Sequence, residues 1–168
     1  MKVGIIMGSK SDIATMKKAA QILEDFHIDY EMVISSAHRT PAQVKAYIER
    51  LESEGAIAFI AGAGAAAHLP GVVASYTTLP VIGVPLNATG LNGLDALLAI
   101  VQMPSGMPVA TMALDGAKNA ALFAVQIAAT SDANIAEAYK RFRQEQADKV
   151  NQDNENLQVE LKAKGIAD

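Results

Sequence analysis

The sequence predicts an α/β fold in which a parallel sheet is covered by helices on both faces. Two observations carry that expectation. Short apolar runs alternate with stretches of helical periodicity in a βαβα order along most of the 168 residues. Three unusual loops, rich in glycine, serine or histidine, each follow a strand rather than precede one, which in such sheets gathers them at the carboxyl edge where ligands bind.

The elements follow in order. Val3 to Met7 is the first apolar run and closes in Gly8-Ser9-Lys10-Ser11-Asp12; Ile13, Met16, Ala20 and Leu23 then recur at helical spacing up to about Phe26. Glu31 to Ser35 is a second run. Pro41, suited to a first helical turn, opens a helix with Val44, Tyr47, Ile48 and Leu51 on one face. Ile57 to Ala61 is a third strand and Pro80 to Val84 a fourth, and between them Gly62 to Gly71 reads as a loop forming a flat, side-chain-poor wall. Leu94 to Met103 reads as helical, Pro108 to Met112 as extended and Ala117 to Ala129 as a long apolar helix. Asp132 stands as an N-cap before a charged helix with a thin stripe of Ile135, Tyr139, Phe142 and Val150. The tail, Asn151 to Asp168, is expected to fray or to form another short helix around Leu157 and Leu161. Residues 1–168 make one domain, with a core of about 3–130 and a C-terminal helical extension of about 132–168.

Composition narrows the function classes. The chain has no cysteine, which excludes disulfides, thiolate metal sites and a cysteine nucleophile, and agrees with a reducing, cytoplasmic setting. A formal charge of -4 without a basic cluster offers no footprint for nucleic acid or an anionic membrane. The first eight residues are too short an apolar run for a signal peptide. No Lys, Arg, Asp or Glu lies between Glu54 and Asp95, and Asp95 is the only one before Asp115. Gly, Pro and His68 interrupt that stretch before it reaches about eighteen continuous apolar residues, so a membrane span is not expected. A broad uncharged patch facing other copies of the chain is the expectation instead.

The loops carry the chemistry. In the first, Gly8 admits close approach of a ligand, while Ser9, Ser11 and the following helix amides offer donors to an anion such as phosphate. Asp12 either caps the helix or accepts hydrogen bonds from ribose hydroxyls. No Walker pattern is present, so Lys10 is left to solvent. In the second, Ser36-Ala37-His38-Arg39-Thr40-Pro41 sets an imidazole beside a guanidinium, a mobile proton next to a fixed cation. The alternatives are a surface ion pair for Arg39 and a satisfied loop histidine for His38. In the third, Gly62, Gly64 and Ala67 imitate a dinucleotide fingerprint, but the acidic residue required about twenty positions on is missing, and the segment follows a third strand rather than a first.

Together, Met7-Gly8-Ser9-Lys10-Ser11-Asp12, Ser36 to Pro41, Ala61-Gly62-Ala63-Gly64, Ala67-His68-Leu69-Pro70-Gly71 and Ile100 to Gly106 resemble the N5-carboxyaminoimidazole ribonucleotide mutases of purine biosynthesis, from about Val3 to Gln144. The resemblance implies a flavodoxin-like three-layer sandwich assembled as a homo-octamer with shared active sites. It also implies a ribonucleotide substrate, no metal and no cofactor. The reaction would move a carboxylate from the exocyclic nitrogen to ring carbon C4, through carbon dioxide released and recaptured in a closed pocket. Carried over by motif, His38 would be the general acid and base; Ser9, Ser11 and Arg39 would hold the phosphate and Asp12 the ribose. Ser36 would shape the pocket, Ala63 and Gly64 would present backbone groups to the aminoimidazole and its carboxylate, and His68 would lie close to the carbon dioxide.

A related class acts on aminoimidazole ribonucleotide and carbon dioxide directly. Its members usually have Lys where Arg39 stands and lack the His-Leu-Pro-Gly run at His68, so this chain sides with the mutases. A non-catalytic nucleotide-binding subunit is a further alternative, against which stands an acid/base residue beside the anion site. Two departures from the mutase pattern are Ala65, where a further glycine is general, and a short acidic Asp115-Gly116 segment.

Overall fold

The chain, described here from a computed structural model covering residues 1–164 and residue 166, folds around five parallel strands. Strand β1 (Lys2–Met7) lies between β2 (Asp29–Ile34) and β3 (Ala56–Gly64), followed by β4 (Val81–Leu86) and the short β5 (Ala110–Thr111). The spatial order 2-1-3-4-5 is that of the flavodoxin-like fold.

Strand side chains alternate between two cores, as a period of two requires. Val3, Ile5 and Met7 join Ala58, Ile60, Ile82 and Val84 beneath α1 (Ile13–Asp25) and α5 (Ala117–Ala129). Ile6, Phe59, Ala61 and Ala63 face α2 (Pro41–Ser53), α3 (Leu69–Tyr76) and α4 (Leu94–Val101) on the other side. All six residues of β4 are buried, which is why its sequence is apolar throughout rather than alternating. Small residues let the large ones in. A Cβ on Gly4 would sit 2.5 Å from the Phe59 ring of β3 and 2.8 Å from Leu51 of α2, and one on Gly62 would meet Met16 Sδ of α1, so both glycines make room for helix-to-sheet packing. Tyr47 is buried on α2 and donates its hydroxyl to the Glu31 carbonyl at 2.7 Å, pinning the helix to the edge strand.

Three expectations change. The segment from Leu69 is helical rather than loop: α3 starts with Pro70 in its first turn and buries Leu69, Val73 and Ala74. The expected wall is therefore divided, with Gly62 to Gly64 ending β3, Leu69 to Gly71 opening α3, and only residues 65–68 connecting them. The tail neither frays at Asn151 nor starts a new helix, because α6 runs unbroken over Ala133–Ala163 behind a capping Asp132, whose carboxylate accepts from Asn134 N at 2.9 Å. Its Gln, Glu, Lys and Leu residues are good helix formers that outweigh the asparagines. Gly165, Ala167 and Asp168 lie outside the described residues. Val150 also leaves the expected stripe. Ile135, Tyr139 and Phe142 pack on the core, but Val150 is one position out of that phase and 66% exposed.

Candidate functional site

The carboxyl ends of β1, β2 and β3 open into one cleft of about 390 Å³, lined among others by Ser9, Ser11, Asp12, Ser36, His38, Arg39, Ala63, Gly64 and His68. Three loops far apart in sequence thus meet at one place. Every residue singled out as a site candidate faces it.

The first loop is a single 3-10 turn, Lys10–Asp12, capped by Ser9. Ser9 Oγ accepts from the Ser11 amide at 3.3 Å. The Ser11 hydroxyl lies 3.0 Å from both Ser9 Oγ and Asp12 Oδ1 and can donate to one of them at a time. Asp12 makes no capping bond to α1, so of its two readings the cap is set aside and the half-buried carboxylate stays available to the cleft. A Cβ on Gly8 would meet nothing within 4 Å, which leaves open space beside the backbone where a ligand can approach. Lys10 is exposed and does not line the cleft.

The second loop is a compact turn. The Ser36 amide donates to Thr40 Oγ1 at 2.9 Å, the Thr40 amide returns to the Ser36 carbonyl at 2.9 Å, and the buried Ser35 hydroxyl lies 3.0 Å from Thr40 Oγ1. Arg39 spans from this loop to the first, with Nη2 donating to the Gly8 carbonyl at 3.0 Å and Nε to Ser36 Oγ at 3.4 Å. Among the described residues it has no carboxylate within salt-bridge distance, so the ion-pair reading fails. Neutral partners orient the guanidinium without cancelling its charge. That suits an anion.

The third loop turns sharply. Ala65 and Ala67 adopt φ of 55° and 46°, a left-handed conformation that favours glycine, and the Ala67 amide returns to the Gly64 carbonyl at 3.0 Å. This turn delivers His68 to the start of α3 with its ring against His38: Nε2 of His38 lies 2.7 Å from Nδ1 of His68, with the rings edge to face at 84°. At that distance one nitrogen carries the hydrogen and the other a lone pair, so the two imidazoles share one proton at their contact. The sequence placed both histidines on one edge but did not pair them.

Ala88, on the loop after β4, also lines the cleft, and a Cβ on Gly64 would fall 2.5 Å from its methyl group. Sequence reasoning missed it. The signal was available, since every loop that follows a parallel strand ends on the same edge. A larger cleft of about 880 Å³ lies at the amino ends of β4 and β5, but among the described residues Glu52 is the one carboxylate that lines it and no Lys, Arg or His does. Among the described residues, no three His, Asp or Glu side chains gather closely enough to hold a metal ion.

Comparison with known proteins places these features in a group. The AIR carboxylase family matches residues 2–149. A Pyrococcus abyssi protein named N5-carboxyaminoimidazole ribonucleotide mutase is 57% identical over 144 residues, covering 86% of this chain and 83% of that protein. A Thermotoga maritima protein of the same name is 55% identical over 143 residues, 85% of this chain and 84% of its own. Among solved structures, the crystal structure of Treponema denticola PurE superposes with a TM-score of 0.86 at 32% identity, over 93% of this chain and 98% of that one.

Proposed function

This chain belongs to the AIR carboxylase family, and we propose that within it residues 1–168 act as one N5-carboxyaminoimidazole ribonucleotide mutase domain, in purine biosynthesis and in the cytoplasm. The observation that carries the reading is the cleft itself, whose lining brings a guanidinium with no carboxylate partner, two serine hydroxyls and a carboxylate together with two paired imidazoles. The first set suits a ribonucleotide 5′-phosphate with its ribose, and the imidazoles a reacting base.

The phosphate lies against Ser9, Ser11, the open backbone at Gly8 and Arg39, whose charge no carboxylate offsets. Asp12, free of a capping role, accepts hydrogen bonds from ribose hydroxyls. Ser36 holds the Arg39 guanidinium at its place in the pocket. Ala63 and Gly64 end β3 with backbone groups turned to the aminoimidazole and its carboxylate.

The chemistry is a paired proton exchange. Protonated His38 gives its proton to the exocyclic nitrogen as the nitrogen–carboxylate bond breaks, which releases carbon dioxide and leaves His38 neutral. C4 of the ring then attacks carbon dioxide, the new carbon–carbon bond forms, and His38 removes the C4 proton. No proton is gained or lost overall. Two opposite transfers require a side chain that both gives and takes a proton near neutrality, which is the property of an imidazole. His68 accepts from or donates to His38 through their contact, and it borders the carbon dioxide. The alanine-rich wall, Ala63 to Ala67 with Ala88, keeps water from competing for it.

The wall also asks for company. Leu94, Leu98 and Val101 stand exposed along α4, as does Leu91 in the turn before it, with Tyr76 and Met107 in the same stretch of few charges, so this chain assembles with copies of itself, as a homo-octamer in the reading carried by the resemblance. The test is conversion of N5-carboxyaminoimidazole ribonucleotide to 4-carboxy-5-aminoimidazole ribonucleotide by the purified protein, without added metal or bicarbonate. Product at rates far above the uncatalysed reaction supports the reading; tight binding without turnover contradicts it.

A further inference from the structure

Helix α6 leaves the body of the protein after Phe142. Every residue from Arg143 to Glu160 is exposed, which at 1.5 Å per residue is about 27 Å of free-standing helix. Few local contacts support it: Gln144 to Asp148 at 2.8 Å, Gln152 to Asn156 at 3.2 Å, and a Lys164–Glu160 pair. Such a helix is poorly stable in water without something to pack on. Its sequence supplies a seam. Ala147, Val150, Asn154, Leu157 and Leu161 recur at intervals of three, four, three and four, the spacing of a and d positions in a coiled coil, and Val150 and Leu157 are 66% and 49% exposed.

We propose that this projecting half of α6 pairs with the same helix of a second copy of the chain, in parallel and in register, through that seam. Asn154 sets the direction. It occupies an a position, so in a parallel pair it meets the partner's Asn154 and the two amides hydrogen-bond each other. An antiparallel pair would set it against Val150 or Leu157 with its amide unsatisfied. The flanking charges agree. Gln146, Asp153 and Glu160 border one side of the seam and Asn151 and Gln158 the other, so a parallel pair brings Asp153 to Gln158 and Gln146 to Asn151 with no like charges opposed. An antiparallel pair would face Asp153 with Glu160 twice.

The family model matches only to residue 149, so four of the five seam positions lie outside that matched span. Two heptads hold weakly by themselves, and the pairing rests on the proposed assembly to keep two copies close.

The chain has no cysteine, so single cysteines report the pairing directly. In the full-length protein, Leu157→Cys should form disulfide-linked pairs under mild oxidation in most chains, because facing d positions come within bridging reach. Gln152→Cys, on the outer face, should cross-link in a several-fold smaller fraction. No link at 157, or equal linking at both positions, would overturn the seam. Sedimentation of the reduced Leu157→Cys protein reports core assembly separately, so a missing link in an assembled protein counts against the seam alone. Amide exchange of the unaltered protein provides a second check. Residues 150–160 should exchange at least tenfold more slowly than an unpaired helix, and exchange at the unpaired rate would refute the pairing.

Discussion

Replacing Ala65 by glycine should stabilise this protein, against the usual expectation for removing a methyl group. Ala65 sits at φ 55° on the exposed turn that delivers His68, where its methyl borders the open cleft and packs in no core, so its main effect on stability is steric conflict with the following carbonyl. The left-handed conformation costs an L-residue roughly 1–2 kcal/mol. Glycine removes that cost but enlarges the freedom of the unfolded chain, which takes back about 0.4–1 kcal/mol. The difference centres near 0.8 kcal/mol in favour of Ala65→Gly, or about 2–3 °C in the thermal midpoint of a chain this size. Ala66 is the control. It is equally exposed but has no positive φ, so Ala66→Gly should lower stability by about 0.4–1 kcal/mol. Both variants would be melted at one fixed protein concentration, since assembly makes the midpoint concentration-dependent. Opposite signs at neighbouring alanines are the signature; a lower midpoint for Ala65→Gly would refute the strain argument.

Other consequences follow from the same geometry. His38→Asn should reduce turnover by at least about 10²-fold while leaving the sedimentation coefficient unchanged, because an amide cannot exchange the proton; substantial activity would remove His38 from its role. Arg39→Ala should raise the Michaelis constant roughly 10- to 150-fold, from the loss of a charge-assisted contact worth about 1.5–3 kcal/mol, and an unchanged constant would count against the phosphate assignment. Gly62→Ala places a methyl 2.4 Å from Met16 Sδ and should cost about 1–3 kcal/mol by denaturant unfolding, toward the lower end because methionine can move. Burial raises the Tyr47 hydroxyl well above its ordinary pKa of 10.0. Unfolded chains then lose a proton that the native state retains, so stability is full below about pH 10 and falls as pH rises beyond it. Tyr47→Phe, with nothing to ionise, should show a shallower alkaline fall in unfolding free energy.

Much of this fold was legible because its strands are short, apolar and separated by amphipathic helices such as α1 and α2, whose periodicity names their buried faces. Helix α3 was not. Leu69-Pro70-Gly71-Val72-Val73-Ala74 has no polar face to mark a period, and a Pro-Gly pair reads as a turn although proline fits a first helical turn. The continuity of α6 was hidden for the opposite reason, since asparagines at 151, 154 and 156 suggested a break that neighbouring helix formers override. At the site, strand-end placement was enough to gather the three loops on one cleft, while the choice of Ser36, Ala63, Gly64 and His68 within them came from the family resemblance. Contacts between them were not legible, because the His38–His68 pair and the Arg39 bridge to Gly8 are tertiary and depend on the register of β1 with β2 and β3. The left-handed backbone at Ala65 was likewise invisible, because nothing in the local sequence marks a positive φ at an alanine.

The central claim is that one carboxylate travels within a closed pocket from nitrogen to carbon. Carbon NMR follows it directly, using freshly prepared N5-carboxyaminoimidazole ribonucleotide labelled in its carboxylate, with the protein, in unlabelled bicarbonate buffer. The account predicts that the label appears on C4 largely undiluted. Product formed only with unlabelled carbon would contradict it, because the carbon dioxide would then come from solution.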